Sequence, residues 1–539
     1  MKLRLCAMAC AMTGLLLTGP ARSADLRIGT AAEPATFDPH FRNTTPDNSL
    51  RRHVFESLIG QDENQKLFPL LATQWRPIDA LTWEFKLRQG VRFHDGTAFT
   101  AQDFIYTVCR IPNVPNSPTS FALYTRGIDA IETPDPYTLI IRTAAPYPLL
   151  PTELATFGIV SARAAGGMAV RFDRAGCNGV SSYPNSALFD DGTLAMGTGP
   201  FKRAEYVKGD RIVLVRNPDY WGPRPAWDRV IFRPLTADAP RVAALLAGDV
   251  DMIEMPPVQD LERLRATPGI SVVQVQSNRT IFLELDQTSD QPRSIAGAAG
   301  RNPLKDPRVR EALAIAINRD AIVRSIMNSS AVAASELMPP GFFGFNPAIH
   351  VNYDPVRSRQ LLEQAGYPDG FELVLGTPND RYIHDQKVAQ AVAQMWTRIG
   401  VKTRVDASTN SIFFQRAHRN EFSASLLGWG PATGEMSSPL KAIIATPDVT
   451  HGFGTFNYGG YSNRAVDDLL IRALATIDDP GREALLAQAM KVAMDDVAVI
   501  PLHYELTAWA LRSGLSYKAR ADQFTLATDV LANDVARGP

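Results

Sequence analysis

Cysteine is nearly missing from this chain, with four in 539 residues. Cys6 and Cys10 fall in the first ten positions, which leaves Cys109 and Cys177 for any folded body. Two thiols cannot supply the disulfide framework on which small secreted domains depend. They could form one bridge in an oxidising compartment, or serve as one buried thiol and one loop thiol. Histidine is scarce too, at eight residues, and His384, His451 and His503 stand without metal-ligand spacing. No metal site made of protein ligands is therefore expected, and no cofactor. An excess of charge of one sign is also lacking, since the formal net charge is −1. That balance argues against nucleic acid as the main partner. The chain has no G-x-S-x-G elbow, H-E-x-x-H pair, Walker A loop or C-x-x-C pair, so an exported hydrolase has nothing to carry its chemistry.

What is present begins with Lys2 and Arg4, an apolar run from Leu5 to Leu17, and small residues at Ala21, Ser23 and Ala24. The run is too short to anchor in a bilayer and reads as a secretory signal peptide over residues 1–23. It continues past Cys10, which argues against a lipid anchor there. Cleavage after Ser23 places small residues at −3 and −1, and takes the formal charge from −1 to −4 by removing Lys2, Arg4 and Arg22. More than 500 residues remain, beyond what one core usually supports, so two or three domains are expected.

Periodicity gives the architecture. Asp228–Phe232, Val250–Glu254 and Ile270–Val275 read as strands, alternating with helices over Asp238–Ala247 and Gln259–Ala266. The alternation recurs later, with strands Phe371–Gly376, Val401–Val405 and Ser423–Leu427. Between these strands come helices His384–Ile399 and Ser411–Asn420. Val388, Val392, Met395, Trp396 and Ile399 form the apolar stripe of the first helix, and Gly400 ends it. Two β-α-β-α-β segments predict two α/β lobes with mainly parallel sheets. Ligands bind beyond the carboxyl ends of such strands, so lobes facing through those ends enclose a cleft that closes by a hinge. Thr280–Leu285 and Ile500–Tyr504 are the candidate crossings. The Gly-, Ser- and Asn-rich stretch Gly166–Gly199 reads as a long loop.

The block Leu67–Arg110 contains an alternating strand, Thr82–Leu87, turns at Gln89–Gly90 and His94–Asp95–Gly96, and a helix capped by Thr100 with Asp103 three residues on. His94 sits in the turn as a structural residue. In its wording this block resembles the signature of the bacterial extracellular solute-binding protein family 5, the dipeptide, oligopeptide and nickel receptors of ABC importers. Further matches lie in order: Gly197-Thr198-Gly199-Pro200-Phe201, Gly209-Asp210-Arg211-Ile212-Val213-Leu214, Arg216-Asn217-Pro218-Asp219-Tyr220-Trp221, Arg308-Val309-Arg310-Glu311-Ala312-Leu313, Ala316-Ile317-Asn318-Arg319, Ala365-Gly366-Tyr367-Pro368-Asp369-Gly370-Phe371 and Ile500-Pro501-Leu502.

The resemblance implies an α/β, bilobed periplasmic-binding-protein fold with an inserted subdomain and a hinge. Lobe I would comprise 24–66, 197–280 and 506–539, the inserted subdomain 67–196, and lobe II 281–505. It implies a monomeric periplasmic receptor that passes a peptide or other small solute to the transmembrane subunits of a permease. A nickel-chelate or haem receptor of the same fold is the alternative ligand class, and a periplasmic peptide chaperone a broader one.

Candidate ligand residues follow from strand ends and from the same resemblance. Trp429, after Ser423–Leu427, matches the family's Gly-Trp pair and would wall the ligand, core packing being its other use. Peptide-binding members place an acidic residue soon after that pair to hold the ligand ammonium. Here that place falls near Ala432 and Glu435 is the only acid in the loop, so either Glu435 takes over the ammonium contact or the ligand has no such group. Arg381, beside Tyr382 after Phe371–Gly376, can hold a carboxylate bidentately, or else pair with Asp380. Asn43 and Thr44, in the segment after the first strand, are candidate polar contacts, with loop capping as their ordinary role.

Overall fold

The computed structural model describes residues 24–533 except 119, 168, 181 and 291–293; the signal peptide read over 1–23 lies outside the described residues. The strands Asp25–Thr30, Arg229–Pro234 and Met252–Glu254 are parallel neighbours, as are Phe371–Pro378, Val401–Ser408 and Ala424–Trp429. Each parallel group is the core of one lobe. They are not separate sheets. Two long strands, Ile270–Leu285 and Ile500–Arg512, pair antiparallel along both lobes and join everything into one sheet of twelve strands.

Their pairing breaks between Gln276 and Thr280. There the Ser277 hydroxyl donates to the Glu505 carbonyl (3.0 Å) and accepts from the Arg279 N–H (3.2 Å). The break marks the crossing between lobes, where a few residues can absorb the change in φ and ψ that hinge closure needs.

Helices cover the sheet for the reason their spacing predicts. On Asp385–Arg398, Val388, Val392 and Trp396 recur every four residues and are fully buried, and the Trp396 indole donates to the Leu313 carbonyl (2.9 Å). Gly400, at φ 103°, takes the chain out of this helix in a conformation that costs other residues energy. A second, antiparallel sheet of six strands lies between Ala72 and Asn178, against the helix Ala101–Arg110. The capping box is present, with the Asp103 carboxylate accepting from the Thr100 N–H at 2.8 Å. Gly166–Gly199 is not one loop. It folds a hairpin, Arg171–Asp173 with Gly176–Asn178, and a helical turn, Ala187–Asp190. The hairpin brings Cys177 to Cys109 at the end of the helix, and the two are bonded, with their Cα atoms 5.7 Å apart.

Several of the motifs converge on one joint. The buried Glu56 carboxylate accepts hydrogen bonds from Thr198 (2.7 Å), Tyr220 (2.9 Å) and the Trp221 indole (2.9 Å). A Cβ on Gly197 would lie 1.9 Å from the Val54 carbonyl oxygen, so only glycine allows this approach. The His94 ring bonds Gly199 and Gly197, and burial lowers its pKa to about 4. His94 and the Gly-Thr-Gly turn therefore fasten the six-stranded sheet to the first lobe.

Candidate functional site

The cleft lies where the crossing strands meet the ends of the parallel strands of the second lobe. Phe371–Pro378 ends into Arg381 and Tyr382, and Ala424–Trp429 ends into the segment 430–438. Tyr382 is buried, and its hydroxyl donates to the Gly428 carbonyl (3.3 Å), so these two strand ends are tied together.

Arg381 is solvent-reachable, yet protein surrounds it closely. Desolvation, with the nearby Arg279 guanidinium, lowers its pKa, as expected on the wall of a narrow cleft. It stacks over Tyr382 at 5.3 Å and is not paired with Asp380, which instead accepts from the Asn410 N–H (2.6 Å). Arg279 emerges from the crossing itself. It faces the buried Glu505 carboxylate (3.4 Å) and donates to Gln523 (3.0 Å). Two guanidiniums thus lie near the Glu505 carboxylate, whose pKa burial holds above its usual range, with the Asp385 carboxylate close by and bonded to the N–H groups of Arg381 and Tyr382. The Arg381 guanidinium joins no ion pair among the described residues and is suited to an anionic group of a ligand.

Trp429 is half-buried, with its indole donating to Ser438 (3.1 Å) and its ring 5.2 Å from that of Phe456. It packs partly into the lobe core and keeps part of its surface accessible. Glu435 is placed differently from its expected role. It is 3% exposed and forms an ion pair with Arg482 (2.7 Å), and Ser437 donates to it as well. Its backbone bridges to Phe343. The carboxylate therefore anchors the Trp429 loop from beneath and is not offered to a ligand ammonium.

Asn43 donates to the Tyr124 hydroxyl (3.2 Å) and accepts from Asn48 (2.9 Å). Thr44 precedes the helix Thr45–Val54 as its N-cap residue, and its hydroxyl donates to Asp47. Both are engaged locally, as loop-capping residues are.

Sequence reasoning missed the contact that spans the cleft. Gln65, in the turn after Ile59–Gln61, is 6% exposed at φ 61°. Its side chain donates to the carbonyls of Pro431 (3.3 Å) and Ala432 (3.1 Å) and accepts from Asn278 (2.8 Å). Asn278, at the crossing, also donates to Pro431 (2.8 Å). Gly434 makes room, since a Cβ there would sit 2.8 Å from that of Gln65. The Ala432 carbonyl is thus held from the opposite lobe. Among the described residues, no group of three His, Cys, Asp or Glu could hold a metal ion, and no helix is long and apolar enough to cross a membrane.

Comparison with known proteins agrees with this architecture. Glutathione-binding protein GsiB of Escherichia coli (strain K12) is 27% identical over 502 residues, covering 92% of this chain and 91% of that protein. The structure of the periplasmic binding protein DppA from Helicobacter pylori in complex with the peptide STSA superposes with a TM-score of 0.74 at 23% identity, over 95% of this chain and 99% of that one. NikZ from Campylobacter jejuni, in complex with Ni(L-His), gives 0.73 at 21% identity, over 94% and 99%. At these identities the structures establish the fold. Residues 66–449 match the model of the bacterial extracellular solute-binding proteins, family 5 (middle), and the chain belongs to that family.

Proposed function

We propose that this solute-binding protein captures a peptide or peptide-like solute in its inter-lobe cleft and delivers it to an inner-membrane ABC permease. It works in the periplasm as a monomer, after loss of a signal peptide near Ser23. No covalent chemistry is involved. The observation that supports the ligand class is the pair Arg279 and Arg381, two guanidiniums beside the hinge, of which Arg381 joins no ion pair among the described residues. A peptide C-terminus supplies the missing charge, while Tyr382 and Trp429 offer flat apolar surface to the body of the ligand. A glutathione-binding relative and a peptide-bound structure of the same fold agree with that chemistry.

Closure supplies the signal. The Gln65 contacts to Pro431 and Ala432 exist only when the lobes are together, so a ligand touching both lobes shifts the open–closed equilibrium towards the form a permease reads. Native mass spectrometry of the mature protein should show one peptide-class molecule per chain. Saturating the emptied protein with that molecule should shrink its radius of gyration in small-angle scattering. At a hundredfold excess over Kd, stability should rise by about 2.7 kcal/mol. A bound nickel chelate or haem, or an unchanged scattering profile, would overturn this reading.

A further inference from the structure

With Glu435 committed to Arg482, the cleft needs another group if the ligand carries an ammonium. The turn Leu150–Glu153 buries Glu153 to 5% exposure. Its carboxylate makes one side-chain hydrogen bond among the described residues, accepted from the Tyr147 hydroxyl. It joins none of the ion pairs among them. Its charged neighbours come largely from the other lobe: Lys441 and Glu435, with Arg126 from its own side. None of the cations is close enough to pair. Arg51, the remaining cation near this wall, is turned to the Thr156 carbonyl (2.7 Å) and to Asn48. An acid buried this deeply is ordinarily paired or kept neutral, and burial raises the Glu153 pKa to about 8.

We infer that Glu153, held in position by Tyr147, is the subsite that takes the primary ammonium group of the ligand, on the first lobe's wall of the cleft. The assignment rests on the peptide-like reading above and deepens it. Ammonium and carboxyl would lie on opposite lobes, with Arg279 and Arg381 holding the other end, so one zwitterionic ligand draws both walls together. Burial with the lobes together raises the Glu153 pKa and an ammonium beside it lowers it, so pairing favours the ionised carboxylate, and any proton Glu153 gives up goes to buffer while the ligand keeps its own.

The test is calorimetry at pH 7 with trialanine and glutathione and their N-acetylated forms, on wild type and on Glu153→Gln. Wild type should bind at least one free-amine probe with net proton release, read from buffers of different ionisation enthalpy. Glu153→Gln should weaken that probe thirtyfold or more and abolish the proton release, leaving the melting temperature and any binding of the N-acetyl form unchanged. Truncated buried charge partners give losses of that order. If a free-amine probe binds and Glu153→Gln changes neither its affinity nor the proton count, the subsite is wrong while the peptide reading stands. If the variant weakens free and acetylated probes equally, Glu153 is structural and the inference fails. If no free-amine probe binds wild type, both the inference and the peptide reading fall.

Discussion

Removing the Glu435 carboxylate should unfold the second lobe early, because its partner would be left charged inside the protein. The two side chains are 4% and 6% exposed and 2.7 Å apart. At an effective dielectric of 20 their attraction is about 6 kcal/mol, largely offset by the desolvation of both ions. That offset is why breaking a buried pair costs more than the pair is worth. In Glu435→Ala, Arg482 keeps only the exposed Asp479 (2.9 Å) and the face of Phe343 (4.3 Å). The expected loss is about 3–5 kcal/mol. Urea unfolding followed by tryptophan fluorescence should show a lower midpoint, and ligand affinity should drop with it because Trp429 lies on the same segment. The double variant Glu435→Ala/Arg482→Met should recover much of both, since it removes the orphaned charge. A ligand contact would behave in the opposite way. If Glu435→Ala unfolds at the wild-type midpoint but loses thirtyfold in affinity, and Arg482→Met rescues nothing, the carboxylate meets the ligand and the structural account is refuted.

Reducing the Cys109–Cys177 bond frees a loop of 68 residues, which by chain entropy should lower stability by about 4 kcal/mol; denaturation of Cys177→Ser beside wild type, with and without reductant, measures it. A second expectation concerns pH. Glu284 is fully buried and accepts from the N–H groups of Tyr458 (3.0 Å) and Gly459 (3.2 Å), and burial raises its pKa to about 8. The folded state therefore holds a proton that the unfolded chain releases above pH ~4.5. Its contribution is complete below that pH and is lost as pH rises towards 8, by an amount on the order of a few kcal/mol. Glu284→Gln should flatten the fall in stability between pH 5 and 8; an unchanged slope would show that Glu284 is ionised in the fold.

Local patterns foretold the local elements. The stripe through Val388, Val392 and Trp396, the Thr100–Asp103 cap and the parallel alternation in each lobe all depend on residues a few positions apart, and all are in the structure. The single continuous sheet was not legible. Ile270–Val275 and Thr280–Leu285 read as separate segments, whereas they belong to one strand of sixteen residues with a register break at Ser277-Asn278-Arg279. Polarity there marks the crossing between lobes. The engagement of Glu435 was hidden for a related reason: nothing in the loop discloses that Arg482, 47 residues on, pairs with it. Gln65 and Glu153 carried no signal at all. One sits in a polar turn and the other in a proline-containing apolar turn, and each acquires meaning only from the opposite lobe.

The two kinds of residue divide along a physical line. The motifs that carried the resemblance are occupied with scaffold: Thr198, Tyr220 and Trp221 on Glu56, Arg310 on Asp496 (2.6 Å), and Arg319 on the Pro501 carbonyl (2.6 Å). Their geometry is demanded by buried polar groups that must find partners inside the fold, which tolerate few substitutes. Cleft residues face a partner absent from the chain, so the fold leaves their identity free to follow the solute. A motif can therefore name the receptor family without naming its cargo. What bears on the cargo is charge left without an ion partner among the described residues, the Arg381 guanidinium beside the hinge and the buried Glu153 carboxyl.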